Sequence, residues 1–422
     1  MFISRNTGFI SVFRDLVFCF LILWLVNPQT RFSSVYNWNI YGAGLLLWIV
    51  FAFLSSPKHF YRALVCNKVW MVWLYPLYIM IASLMGHASF SLYQFTIPFI
   101  YIFFFYYSQN KNKKQMIYLI YICILYILII NINTLIVNQS NFQVSRLLAS
   151  SNFEETYKLS SPFIGDFPYI YSLVGISISM IGIYKYYHKL KSLKYLLFAI
   201  LCIIVIIRSQ YMIALLITIF ITIILLTVGD IKSIKGIMRL MIFILAIISS
   251  YVFLGPLLGW LSQFVSGPLL AQRFEELSSV FNGNTYIFSL TRIRLYSNSI
   301  NTFLNNVFFG VGEVSDYDIV GGHSQVLDTF ARYGIFGGTC FIITISRAFV
   351  HVKSRLSGKM SVIYNYVMAA FFLQSIINLS YYDLQLTFYF FIIPMILYLY
   401  GFSNKQKSTI VIKMNSKKRI IL

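Results

Sequence analysis

Long apolar runs without polar alternation constrain this chain more than any other feature of its sequence. Two of them extend from Tyr195 to Ile207 and from Tyr211 to Val228. A bilayer offers no hydrogen-bond partner to a free peptide group, so a segment that crosses it must be a helix or part of a closed barrel. Barrel strands alternate apolar and polar residues, and these runs do not. We therefore expect an all-α, polytopic integral membrane protein.

Composition excludes a soluble globule, because 59% of the residues are hydrophobic and only 11% are charged. A membrane helix needs about 20 mainly apolar residues, and the hydrophobic pattern predicts about twelve such spans. The predicted spans are 16–27, 38–54, 69–86, 92–107, 116–137, 163–184, 195–209, 211–228, 240–258, 330–350, 361–379 and 385–402. The chain then divides into spans 1–9 (residues 1–257), a large external loop (258–329), spans 10–12 (330–402) and a basic tail (403–422).

The distribution of positive charge predicts the orientation of these spans. The net charge is +21, which by itself is also typical of nucleic-acid binding, but the cations cluster in every second connection between spans. The clusters are Lys58, Arg62 and Lys68; Lys111, Lys113 and Lys114; Lys185, Lys189, Lys191 and Lys194; Lys232, Lys235 and Arg239; Lys353, Arg355 and Lys359; and Lys405 to Arg419 in the tail. Under the positive-inside rule both termini are cytoplasmic and the large loop is periplasmic. We expect a bacterial inner-membrane protein without a nucleic-acid partner.

The loop 258–329 is the longest interruption in the hydrophobic pattern. Connections of more than about 15 residues are usually functional or disordered. This loop keeps apolar residues at helical spacing, for example Phe274, Leu277 and Phe281, which favours a folded cap. We therefore expect any chemistry to be located here.

The end of this loop carries a motif of glycines around a histidine. In a helix that begins near His323, residues 323, 327 and 330 share one face, so the imidazole is expected at the mouth of a span. The arrangement resembles the O-antigen ligase and O-antigen polymerase family, whose signature is His-Ser or His-Asn, nine residues, then Gly-x-x-Gly, after a Gly-x-Gly turn and an upstream Arg. The match covers a stretch of about fifty residues. The matching positions are Arg292, Gly310, Gly312, His323, Ser324, Gly334 and Gly337.

The resemblance implies a glycosyltransferase that uses glycans linked to undecaprenyl pyrophosphate at the outer face of the inner membrane. A polymerase of O-antigen or capsule repeat units is the preferred reading, because the chain is unusually rich in Ile, Phe, Tyr and Asn, which suggests a serotype-specific sequence. An O-antigen ligase that transfers the polymer to lipid A core is the alternative, and a flippase for the same glycans is a third reading. The expected partners are lipid-linked donor and acceptor glycans, membrane lipid and a chain-length regulator.

The chemistry of a pyrophosphate leaving group indicates which residues act. Arginines neutralise such a group through bidentate hydrogen bonds, so no cofactor and no metal are expected. Arg208 interrupts an apolar run, where a charge is costly unless it is paired or functional. Arg208 and Arg292 are therefore assigned to the pyrophosphate, with Arg273 or Arg294 as a third contact. The predicted substrate-binding residues are Arg273, Arg294, Ser324, Gly310 and Gly312.

His323 has two possible roles in this scheme. As a general base it deprotonates the acceptor hydroxyl, which leads to inversion at the anomeric centre; as a cation it hydrogen-bonds the pyrophosphate. Simpler readings stay open as well. In one alternative, Arg292 and Arg294 only form ion pairs with Glu275 or Glu276. In another, the glycines only form tight turns. In a third, Asp316 and Asp318 bind a metal ion.

Overall fold

The computed structural model describes residues 3–28, 38–65, 69–89, 92–109, 113–140, 144–148, 163–187, 192–229, 234–264, 268–282 and 289–401. Within these ranges every element of secondary structure is helical. The helices are α1 (Ile3–Val26), α2 (Trp38–Ser55), α3 (Pro57–Val65), α4 (Leu74–Leu84), α5 (Thr96–Gln109), α6 (Lys113–Ser140), α7 (Val144–Leu147), α8 (Phe167–Tyr187), α9 (Leu193–Arg208), α10 (Met212–Thr227), α11 (Ile234–Phe264), α12 (Pro268–Phe281), α13 (Ser289–Asn305), α14 (Gln325–Ser354), α15 (Lys359–Ile377) and α16 (Asp383–Gly401). The basic tail lies outside the described residues.

Six helical stretches of the described chain are long and apolar enough to cross a membrane. They are Gly8–Val26, Met116–Gln139, Phe167–Tyr187, Gln325–Ser354, Lys359–Ile377 and Asp383–Gly401. Helices α2 and α3 form one further candidate, bent by 120°, and α4 and α10 are shorter apolar helices. The expected helical membrane fold is confirmed, and each of the twelve predicted spans overlaps a helix. The number of spans and their orientation stay predictions.

Helix α8 lies at the centre of the bundle, where it is buried along almost its whole length. Small residues allow its neighbours to approach closely. A Cβ at Gly175 would lie 2.7 Å from the Tyr389 ring of α16, and one at Gly182 would lie 2.8 Å from Ile363 of α15. Helices α8, α15 and α16 therefore form the packed centre that supports the ends of the neighbouring helices.

Helix α14 is broken at Gly334, whose φ of 62° and ψ of −166° are not helical. The part after the break, residues 335–354, rises about 30 Å at 1.5 Å per residue, which matches the hydrocarbon thickness of a bilayer. The part before the break, 325–333, is a separate short segment that begins directly after His323 and Ser324. The break therefore places the short segment 325–333 between the His323–Ser324 pair and the long part of the helix.

Candidate functional site

The break in α14 is stabilised by the segment that follows α13. A helix break leaves backbone groups without their helical partners, and buried groups of this kind need new ones. Residues 307–312 supply them through three backbone hydrogen bonds. The bonds run from Val311 N–H to Ala331 O (3.1 Å), from Gly312 N–H to Arg332 O (2.8 Å) and from Ile335 N–H to Val307 O (2.7 Å). The two glycine motifs of the sequence thus belong to one crossing of two chain segments.

Glycine is required at this crossing because the two backbones almost touch. A Cβ at Gly334 would lie 2.2 Å from the carbonyl oxygen of Phe308, and a Cβ at Gly310 would lie 2.3 Å from the backbone of Arg332. Both glycines also have positive φ, at 62° and 70°, where a side chain adds strain. The sequence predicted a turn at Gly310 and Gly312, and nothing in it indicated that this turn packs against Gly334.

The start of α14 is fixed to α13 by a buried network around Asp328. The hydroxyl of Ser324, the N-cap residue, accepts a hydrogen bond from Leu327 N–H at 3.2 Å. The Asp328 carboxylate accepts one from Ser324 N–H at 3.0 Å and another from the Ser299 hydroxyl of α13 at 2.6 Å. Ser324 and Asp328 are both buried. Because His323 directly precedes this cap, the network orients the backbone that carries the imidazole.

His323 is half-buried beside Tyr317, with the two ring centroids 6.4 Å apart and the rings inclined by 26°. Burial lowers the pKa of His323 below its usual value, and the positive charge of Arg292 lowers that pKa further. Asp328 and a hydrogen bond with the Gly322 backbone act in the opposite direction. The net effect favours neutral imidazole near pH 7, which is the form that accepts a proton.

Arg292 projects from α13 to the end of α15. Its Nη1 donates to the side-chain oxygen of Asn378 at 3.2 Å, and the Asn378 amide donates to the Tyr171 hydroxyl at 2.7 Å. The Tyr296 hydroxyl, one turn along α13, donates to Ile377 O at 2.7 Å. Because Asn378 is neutral, this contact positions the Arg292 guanidinium without cancelling its charge. The site therefore combines a fixed cation with a histidine whose pKa is lowered by burial and by that cation.

Arg294 lies on another face of α13 and forms an ion pair with Asp318 at 2.7 Å. Both side chains are about 70% exposed (68% and 70%). Asp318 N–H in turn donates to the Asp316 carboxylate at 2.8 Å. The charge of Arg294 is thus directed to the acidic turn that carries Asp316 and Asp318, and not to Arg292 and its partner Asn378.

Arg208 and Arg273 were the other cations predicted for the pyrophosphate. Arg208 ends α9 and its side chain is exposed. The turn that follows it places the Tyr211 ring 5.9 Å from that of Tyr171, whose hydroxyl accepts from Asn378. This aromatic contact joins the Arg208 turn to the Arg292 group. Arg273 is in α12, but its side chain lies outside the part of the chain that the structure describes.

Two residues of the site were not found from the sequence. Asp328 carried a weak signal, an acid in the first turn of a helix after an N-cap serine. Asn378 carried none, because it meets Arg292 across 86 residues of sequence. Among the residues that the structure describes, no group of three or more His, Cys, Asp or Glu side chains is placed to hold a metal ion.

Comparison with known proteins adds no relative, since no family model and no curated protein matches this chain. The resemblance to the O-antigen ligase and polymerase family therefore depends on the motif around His323 alone. The geometry adds that Asn378 joins Arg292 to Gln325, which directly follows His323 and Ser324, while Gly310 and Gly334 share one backbone crossing. Arg208 is linked to Arg292 indirectly, through the Tyr211 turn, Tyr171 and Asn378.

Proposed function

We propose that this protein is an inner-membrane glycosyltransferase that polymerises oligosaccharide repeat units carried on undecaprenyl pyrophosphate, at the outer face of the membrane. The main support for the proposal is geometric: Arg292 donates to the side-chain oxygen of Asn378 at 3.2 Å, and Gln325 N–H, two residues after His323, donates to the Asn378 carbonyl oxygen at 3.1 Å. The arginine lowers the pKa of the histidine by its charge, and neither residue is fully exposed. A neutral base beside an anchored cation matches a reaction that removes a hydroxyl proton and releases a pyrophosphate.

The distribution of lysines along α15 supports a site at the outer face. Helix α15 begins at Lys359, in one of the lysine-rich connections, and ends at Ile377, next to Asn378 and Arg292. The site and the lysine clusters therefore lie at opposite ends of this helix. Because lysine and arginine favour the cytoplasmic side, the site belongs to the periplasmic side in the twelve-span arrangement with both termini inside.

In the proposed reaction His323 accepts the proton of an acceptor sugar hydroxyl. The hydroxyl oxygen attacks the anomeric carbon of the donor glycan, and the bond from that carbon to the pyrophosphate oxygen breaks. Undecaprenyl pyrophosphate leaves with the electron pair of the broken bond, and the Arg292 guanidinium stabilises its charge. A single displacement of this kind inverts the anomeric centre. His323 then returns its proton to water.

Ser324 and the glycines take a different role in this proposal from the one expected. The Ser324 hydroxyl is engaged in capping α14, and Gly310 and Gly312 support the crossing at the helix break. These residues therefore position His323 and are not themselves assigned to the sugar. Arg208, predicted from the sequence as a second contact to the pyrophosphate, keeps that assignment here as a contact reached across the Tyr211 and Tyr171 rings.

Deletion of the gene in its own host tests the proposal against its rivals. Loss of a polymerase leaves single repeat units on the cell surface. Loss of the ligase instead leaves long polymer on the lipid carrier, and loss of a flippase leaves repeat units on the cytoplasmic side of the membrane. Either of the last two results overturns the proposal in favour of that function.

The deletion strain also tests the role of the histidine. We expect the wild-type gene to restore the polymer ladder and His323→Gln to restore none. His87→Gln is the matched control, because its side chain is exposed and only its backbone contacts the site segment, through the carbonyl oxygen that accepts from Glu313 N–H at 2.9 Å. A ladder restored by His323→Gln would contradict the assignment of the base.

A further inference from the structure

A cavity of about 400 Å³ lies between α6, α8, α9 and α16. It is located near the first residues of α6 and α9 and the last residues of α16. This is the lysine-rich end of the bundle, so the cavity lies far from His323 and Arg292 along these helices. The proposed transferase reaction makes no use of it.

The deeper wall of this cavity is apolar. Ile120 of α6, Met180 of α8 and Ile396 of α16 line it, and all three are buried within the bundle. Phe198 of α9 and Leu399 of α16 complete the wall. A space of this kind between four helices accommodates a hydrocarbon chain without exposing it to polar groups.

The mouth of the cavity is polar and positively charged. Lys194 is exposed, and its Nζ lies 5.1 Å from the centre of the Tyr195 ring. The Tyr195 ring packs edge-on against the Tyr400 ring, with the centroids 5.3 Å apart, and Tyr121 also lines the cavity. Among the described residues that line the cavity, none is acidic. One ammonium group and three phenol groups thus line the side of the cavity where an anionic, oxygen-rich group would lie.

We propose that this cavity binds an anionic phospholipid from the leaflet on the lysine-rich side of the membrane. The phosphate of the lipid lies at Lys194 and the tyrosine hydroxyls, and one acyl chain enters the space beside Ile120 and Met180. Charge complementarity selects the head group, and the division between a polar mouth and an apolar interior selects a lipid over a free phosphate. The inference does not depend on the proposed transferase activity.

Native mass spectrometry of the delipidated full-length protein tests this site. The probes are phosphatidylglycerol and phosphatidylcholine with identical acyl chains. We expect one saturable phosphatidylglycerol site, and weaker binding of the zwitterionic lipid. Lys194→Gln is expected to weaken phosphatidylglycerol binding about fivefold, the typical effect of one lysine near an anionic lipid surface.

A matched control is available at the same end of the bundle. Lys359 Nζ lies 5.4 Å from the centre of the Tyr186 ring, but Lys359 does not line the cavity, so Lys359→Gln should leave the affinity unchanged. A second variant, Ile117→Trp, tests the space itself. Ile117 lines the cavity and is 40% exposed, so the larger ring fits there without displacing buried residues and should prevent lipid entry.

Four outcomes would overturn the inference. The first is equal binding of the two lipids, and the second is the same loss of affinity in Lys194→Gln and Lys359→Gln. The third is displacement of phosphatidylglycerol by undecaprenyl phosphate at equal concentration, which would assign the cavity to the polyprenyl carrier. Unchanged phosphatidylglycerol binding by Ile117→Trp would likewise place the lipid elsewhere on the protein.

Discussion

Replacement of Gly334 by alanine tests how the break in α14 supports the site. This glycine has a φ of 62° and a ψ of −166°, and its ideal Cβ position lies 2.2 Å from the Phe308 carbonyl oxygen. Gly358 also has positive φ, at 53°, but nothing lies within 4 Å of its Cβ position. The pair Gly334→Ala and Gly358→Ala therefore separates backbone strain from the close approach of two chain segments.

The magnitude follows from these two contributions. Alanine in a strained backbone region costs about 1–3 kcal/mol at either position. At Gly334 the backbone of Phe308 must also move, which disrupts the three hydrogen bonds of the crossing, at 2.7, 2.8 and 3.1 Å. At about 1 kcal/mol each, their loss brings the expected destabilisation to about 4–6 kcal/mol for Gly334→Ala.

The assay is unfolding of the purified variants in mixed detergent micelles as the SDS fraction is raised. We expect Gly334→Ala to unfold at a clearly lower SDS fraction than Gly358→Ala, and to lose polymerisation because His323 is displaced. Equal stability of the two variants would refute the argument, since the close approach of the backbones would then contribute nothing.

Further predictions concern the side chains around His323. Arg292→Gln removes a positive charge that lowers the pKa of His323, so the pKa rises and the acidic limb of the pH–activity profile should move to higher pH; an unmoved limb would separate the two residues. Asp328→Asn removes a negative charge that raises the pKa of His323, so the acidic limb should move to lower pH; a shift to higher pH would contradict this. The same variant loses a charged hydrogen-bond acceptor, which should reduce the unfolding free energy by about 1.5–3 kcal/mol. Arg294→Gln breaks only the exposed pair with Asp318 and should change the unfolding free energy by less than about 1 kcal/mol; a tenfold loss of activity would place Arg294 on the substrate.

The fold class followed from the sequence because spanning helices have a strong local signal. Runs such as 211–228 are apolar throughout, and the structure forms α10 there. The boundaries were less predictable. The predicted span 330–350 contains Gly334, and the break at this residue depends on a contact with Phe308, which no local pattern in α14 indicates.

The site was predictable only where its residues belong to the motif. Arg292 and His323 were singled out because the motif resembles a family signature, and in the structure Asn378 joins Arg292 to Gln325, two residues after His323. Asn378 was missed because its role arises from the packing of α13 against the end of α15. The pairing of Arg294 with Asp318, and not with Glu275 or Glu276, likewise depends on how the acidic turn folds back onto α13.

Release of undecaprenyl pyrophosphate by the purified protein is the direct readout of the proposed transfer reaction. The protein is reconstituted in liposomes with undecaprenyl-pyrophosphate-linked repeat units of its own host, and the released carrier and the glycan length are measured together. We expect wild-type protein to release one carrier for each linkage formed, and His323→Gln to reduce this rate by about 10²–10⁴-fold. Carrier release at the wild-type rate by His323→Gln, or longer glycans without carrier release, would contradict this expectation.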